Sequence, residues 1–135
     1  MKRMIFASLL TLLSTSINAS GSGAGIWPLK KEADFVEFHC KGQVEYRLPD
    51  KTRVDCLTDQ FAIEYDWGKK WAEAVGQALY YSAMTGKKAG IVLIVNTRTK
   101  ERYLRRIEKT IEDKKLDITV WTVNTADRHA PKKFM

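Results

Sequence analysis

Two hydrophobic periods run along the chain, and the switches between them mark its elements. From Lys31 to Cys40, Phe35 and Phe38, with His39 beside them, stand at helical spacing and predict a short first helix. Gly42 follows, and glycine tolerates the left-handed conformation that ends many helices. Val44 to Leu48 alternates apolar and polar residues and predicts a strand. Pro49-Asp50-Lys51 is turn chemistry. Arg53 to Leu57 and Phe61 to Trp67 are a second and a third strand, joined by the hairpin-sized Thr58-Asp59-Gln60, so the three form an antiparallel meander. Gly68 breaks the alternation. Lys69 to Thr85 then carries Trp71, Ala74, Val75, Ala78, Leu79 and Ser82 on one stripe and predicts a long helix stopped by Gly86. Ala89 to Val95 is an unbroken apolar run, as in a strand covered on both faces. Thr99 caps a further helix through Lys115, with Leu104, Ile107 and Ile111 as its apolar positions. Leu116 to Val123 is the last strand, and Ala126 to Met135 is a polar, basic tail. The order helix, three strands, helix, strand, helix, strand predicts an α/β unit with a mixed central sheet flanked by helices.

A chain of 135 residues, 44% apolar and 29% charged, suits one globular domain, expected over residues 31–125. The excess of 23 Lys and Arg over 16 Asp and Glu gives +7 and favours polyanionic partners without choosing among them. No apolar run is long enough to span a membrane. Lys2 and Arg3, the apolar stretch Met4 to Leu13 and the small Ala19 have the layout of a secretory signal peptide over residues 1–19, and so predict a periplasmic or secreted protein; a buried N-terminal helix is the competing reading. Residues 20–30 begin with Ser, Gly and Ala and read as a flexible leader. An oxidising compartment would permit a Cys40–Cys56 disulfide, the other outcome being two buried thiols.

The candidate chemistry lies on the meander. Alternation puts Phe61, Ile63, Tyr65 and Trp67 on one face of the third strand and Ala62, Glu64 and Asp66 on the other, while Asp55 faces away from Val54 and Cys56. A register that sets Asp55 beside Glu64 would gather two or three carboxylates. Buried like charges destabilise unless a cation offsets them, and Mg2+ binds through one or two carboxylates plus substrate phosphate. The plainer reading is a solvated strand face with ordinary surface acids. On the next helix Lys70, Glu73, Gln77 and Tyr81 share a flank, with Gln77 and Tyr81 stacked four apart. They suit the positioning of a phosphodiester, or are ordinary polar decoration.

Asp55, then Glu64-Tyr65-Asp66, then Gln77 to Tyr81, in this order, resembles the PD-(D/E)XK nuclease superfamily in its subgroup with a Q-x3-Y helix, typified by RecB-type exonuclease domains. The resemblance spans roughly Glu32 to Val95. It implies a restriction-endonuclease-like core, helix–three strands–helix–strand, followed here by one more helix and strand. It implies that Asp55 and Glu64 hold Mg2+ or Mn2+, that Glu32 or Glu37 on the first helix completes the metal set, and that Gln77 and Tyr81 contact DNA near the scissile phosphate. Glu45 is a further acidic candidate.

One position departs from the family. Its lysine, two residues after the second acid, is Asp66 here. Either Lys69 or Lys70 reaches back to supply the charge, Lys70 being better placed on the Gln77 flank, or the site binds without cutting; Asp66 could also add a metal ligand. The expected activity is metal-assisted hydrolysis of DNA phosphodiester bonds with Lys70 stabilising the developing charge, and the alternative is an inactive module that binds nucleic acid or a protein. Arg102, Arg105, Arg106 and Lys109, with Lys87 and Lys88, are expected either to contact phosphates or to form a solvated helix face. Trp67 and Trp71 are expected in the core. His39 and His129 are too isolated for a zinc site, and Ser82 lacks the surroundings of a nucleophile.

Overall fold

The computed structural model describes residues 29–127. The expected signal peptide, most of the leader, His129 and most of the tail lie outside the described residues. The elements run α1 (Glu32–His39), β1 (Gln43–Arg47), β2 (Arg53–Leu57), β3 (Phe61–Trp67), a 3-10 turn (Gly68–Lys70), α2 (Trp71–Thr85), β4 (Lys88–Val95), α3 (Lys100–Lys114), β5 (Ile118–Asn124) and a second 3-10 turn (Thr125–Asp127). The chain is α/β, and the strands form one mixed sheet in the order β1-β2-β3-β4-β5. β1, β2 and β3 are antiparallel, whereas β3, β4 and β5 are parallel. Short turns allow only the first kind of pairing, and the crossovers through α2 and α3 supply the second.

The sheet is covered unequally. Phe35 and Val36 of α1 pack on one face with Ile63, Tyr65, Val92 and Ile94. Ala74 and Ala78 of α2 and Ile107 of α3 pack on the other with Ala89, Ile91, Leu93 and Val95. β4 is therefore buried at every residue after Lys88, which is why its sequence has no polar alternation. Leu29, which the leader was expected to contain, is buried in the α1 layer.

Three local expectations change. Gly42 is not a left-handed cap, since α1 closes at Cys40 in an extended conformation. A side chain at Gly42 would overlap the carbonyl of Leu57, so the residue serves the close approach of two backbones. Gly86 does take the left-handed conformation, φ 68°, and closes α2 by donating to Ser82.

The buried side of α2 also differs. It consists of Ala74, Ala78 and Tyr81, while Leu79 is exposed beside Tyr80 and Met84. The 3.6-residue period fits two overlapping stripes, and the sheet's position selects between them. Tyr81 reaches over β3 to pack with Leu48, Val54 and Ala62.

The third change is in β2. Val54 and Cys56, two residues apart, pack into different clusters. Pairing between β2 and β3 is confined to Cys56↔Ile63 and Leu57↔Ala62. On the Asp55 side of Cys56 the pairing stops, and Asp55 turns into the gap between the strands. Cys40 and Cys56 form a disulfide with Cα atoms 5.6 Å apart, tying the end of α1 to β2 just before that gap.

Candidate active site

Four carboxyl groups meet where β2 leaves β3. Asp55 comes from β2, Glu64 and Asp66 from β3, and Glu32 from the first turn of α1. The register Cys56↔Ile63 makes Asp55 the neighbour of Glu64. Glu64 and Asp66 are only 4% and 1% exposed, so these are not solvated surface acids.

The cluster holds itself together with shared protons. Burial, followed by the charges of Asp55, Asp66 and Glu32, pushes the Glu64 carboxyl up to about 10, so Glu64 stays protonated at neutral pH and donates to Asp55. Burial and the neighbouring Asp66 raise Glu32 to about 7, and its proton goes to Asp66. Asp55 is itself raised to about 6, mainly by burial, against the opposing effect of a backbone donor. That donor is the N–H of Tyr65, 2.8 Å from Asp55 Oδ2. Asp66 accepts from the N–H of Trp67 at 2.8 Å. Glu64 Oε2 and Asp66 Oδ2 remain buried without a hydrogen-bond partner. An unpartnered oxygen in such a place is costly unless a cation or water meets it.

Lys70 lies at the rim. The 3-10 turn after β3 lifts it four residues past Asp66, and its ammonium stands 3.5 Å from Asp66 Oδ1 and 3.6 Å from Glu73 Oε2. Its side chain is 43% exposed, so the pair is open to water on one side. Asp66 first, then Glu73 and Glu32, hold its pKa above the ordinary lysine value. Lys69 is exposed on the same turn.

The remaining candidates divide. Tyr81 is buried, and Gln77 donates to its hydroxyl at 3.4 Å. Burial raises the Tyr81 pKa, with further contributions from the charges of Glu64 and Asp55, so its hydroxyl belongs to the electrostatic neighbourhood of the cluster. Glu37 is exposed on the outer side of α1. Glu45 pairs with Arg53 at 2.8 Å on the sheet edge, in a left-handed backbone conformation (φ 55°), and acts on Asp55 only through its charge. Lys87 donates to the carbonyl of Asp59 at the opposite end of the sheet, away from Lys70. Two contributors had no signal in the sequence. The Tyr65 N–H is a backbone group, and the Glu32–Asp66 proton sharing joins residues 34 positions apart through packing alone.

The donor set fits a hard divalent ion in its chemistry: oxygen ligands, net negative charge and two uncompensated oxygens. Among the described residues, no group of three or more His, Cys, Asp or Glu side chains forms a ready-made cage for a metal ion. Mg2+ does not need one, since one or two carboxylates suffice when water and substrate phosphate complete its shell. Asp55 and Glu64 are the pair that would serve. No family model matches the chain, and neither a curated protein nor a solved structure matches it.

Proposed function

We propose that the chain is a metal-dependent nuclease of restriction-endonuclease-like fold that hydrolyses DNA phosphodiester bonds. The observation that carries this reading is the Asp55–Glu64 pair, half-buried at Asp55 and buried at Glu64, with Glu64 Oε2 unpartnered and the Lys70 ammonium over the adjacent Asp66. The element order, with Gln77 and Tyr81 on the helix after the acidic strand, supports it as well.

Each residue then has a task. Asp55 and Glu64, the latter giving up its proton to solvent, would hold Mg2+ or Mn2+, with Glu32 and Asp66 adjusting the charge behind them. A bound divalent ion polarises the phosphoryl group and lowers the pKa of an attacking water. Lys70 faces solvent on one side and the carboxylates on the other, and stabilises negative charge on the phosphoryl oxygens as it grows. Gln77 orients the Tyr81 hydroxyl, and the two fix the position of the strand. The Cys40–Cys56 disulfide fits the oxidising compartment that the N-terminal pattern implies.

A second reading is favoured by Asp66. It stands where the family's lysine does, accepts from Glu32 and occupies Lys70. If that ion pair persists on the substrate, the site binds DNA and does not cut it. Incubating the protein with single- and double-stranded DNA in Mg2+, Mn2+ or EDTA separates the two. Metal-dependent cutting that disappears in Asp55→Asn is the result expected. Metal or DNA binding by calorimetry with no cutting would leave the binding module.

A further inference from the structure

We infer that the groove between the start of α2 and the outer face of α3 binds one strand of a polynucleotide and leads its phosphates toward Lys70. The inference deepens the nuclease reading and rests on it for the choice of polyanion. The groove encloses about 460 Å³ and is lined by Trp71, Arg102, Arg105, Arg106 and Lys109. Trp71, at one end of the groove lining, directly follows Lys70 in the chain.

Its charge is unbalanced. Arg102, Arg105 and Arg106 have no carboxylate partner among the described residues, whereas Lys109 is paired with Asp113 at 2.8 Å. Arginines three and four residues apart on one helix face repel each other, so the row works against helix stability unless an anion meets it. α3 is amphipathic and could have spread its charges. Instead Glu101, Glu108, Glu112 and Asp113 lie outside the groove lining.

The placement of the arginines favours a phosphate-bearing ligand. The guanidinium of Arg102 lies 4.8 Å from the Tyr103 ring centre and donates to the Tyr103 hydroxyl at 3.1 Å. Arg106 stands 6.0 Å from the same ring. The ring pre-orients both forks, and a held guanidinium binds a phosphate through two bonds at lower entropic cost than a free lysine. Tyr103 is fixed in turn by the missing side chain of Gly68, where a Cβ would meet its ring at 2.6 Å. The row from Arg102 to Lys109 covers about 10 Å of helix. The half-buried Trp71 lines the α2 side of the groove, opposite the arginines, and is the aromatic residue there that an unpaired base could meet.

An anionic membrane is the weaker match. The apolar side of α3, with Leu104, Ile107 and Ile111, packs into the core and is not free to enter lipid.

The test is binding of the full chain to a fluorescein-labelled oligothymidylate in EDTA, followed by anisotropy over a range of salt. Metal is absent, so the result does not depend on cutting. Arg102→Gln with Arg105→Gln and Arg106→Gln should weaken binding by about 10- to 100-fold and reduce the salt slope by about two. Lysines at the same three positions should restore most of the slope. The same loss of charge at the far end of the sheet, Lys41→Gln with Lys87→Gln and Lys88→Gln, should leave the slope intact. Unchanged affinity and slope in the triple arginine variant would overturn the inference. So would binding to vesicles of phosphatidylserine and phosphatidylcholine but not to the oligonucleotide. Cutting that survives a failed groove test would leave the active-site reading standing, and arginine-dependent binding without any cutting would do the reverse.

Discussion

The carboxylate of Asp55 accepts the backbone N–H of Tyr65 at 2.8 Å, taking the place of a strand carbonyl where β2 and β3 part. One side chain thus closes the sheet ladder and opens the acidic site. Removing it has two effects that must be separated. Asp55→Ala strands the Tyr65 amide and should cost about 1–3 kcal/mol of stability in urea melts. Asp55→Asn keeps an acceptor for that amide and should cost clearly less, while removing the negative charge. Asparagine is therefore the informative control for any loss of activity, and equal destabilisation by both variants would contradict this account.

Mg2+ or Mn2+ should stabilise the folded protein. At roughly 100 times its Kd the ion should raise Tm by about 10 °C, and EDTA should reverse the rise. Glu64→Gln should abolish the shift without unfolding the protein. Scanning calorimetry reads both, and a metal-independent Tm in the parent chain would remove the metal from the site.

Without metal, stability should fall as the solution becomes alkaline. Glu64 and Glu32 are raised by folding, to about 10 and about 7, so the folded chain binds more protons than the unfolded one above pH 4.5. Their contribution is complete below that pH and is lost as pH rises through the folded values. His39 acts oppositely: burial lowers its pKa, so it costs stability as pH falls below 6.5. Between pH 7.5 and 9.5 His39 is silent, and Glu64 should set a slope of up to about 1.4 kcal/mol per pH unit. Denaturant melts at the two pH values should show this slope in the parent chain and a nearly flat line in Glu64→Gln.

Lys70 should matter to rate and not to folding. Lys70→Ala should lower kcat by about 100-fold while the metal-induced rise in Tm survives. Lys70→Arg should recover part of the rate. Loss of the metal effect in Lys70→Ala would mean that the lysine organises the carboxylates and has no separate part in the reaction.

The Cys40–Cys56 bond closes a loop with a sequence separation of 16. In the chain-entropy account, losing it costs about 3 kcal/mol. Cys40→Ser with Cys56→Ser should show that loss in urea melts. Because the bond anchors β2 next to Asp55, the same pair should also weaken metal binding.

The order of elements was legible from hydrophobic period alone. β2 and β3 occupy the residues that alternation assigns to them, and β4 is the doubly covered strand that its unbroken apolar run predicts. Local chemistry was enough there, because strand and helix periods differ and turn residues mark the boundaries. The candidate acids Asp55, Glu64 and Asp66 were legible as well, and so was Lys70 as the nearby cation. Tertiary structure decided the rest. It chose Tyr81 over Leu79 for the buried side of α2, because a period fixes spacing along a helix but not which side the sheet takes. It turned Asp55 into the gap, because the end of a strand ladder depends on twist and on the disulfide behind it. It brought Glu32 to Asp66 from another layer and set which carboxyls keep their protons. Burial and charge act through space, and a linear sequence does not carry the distances on which they depend.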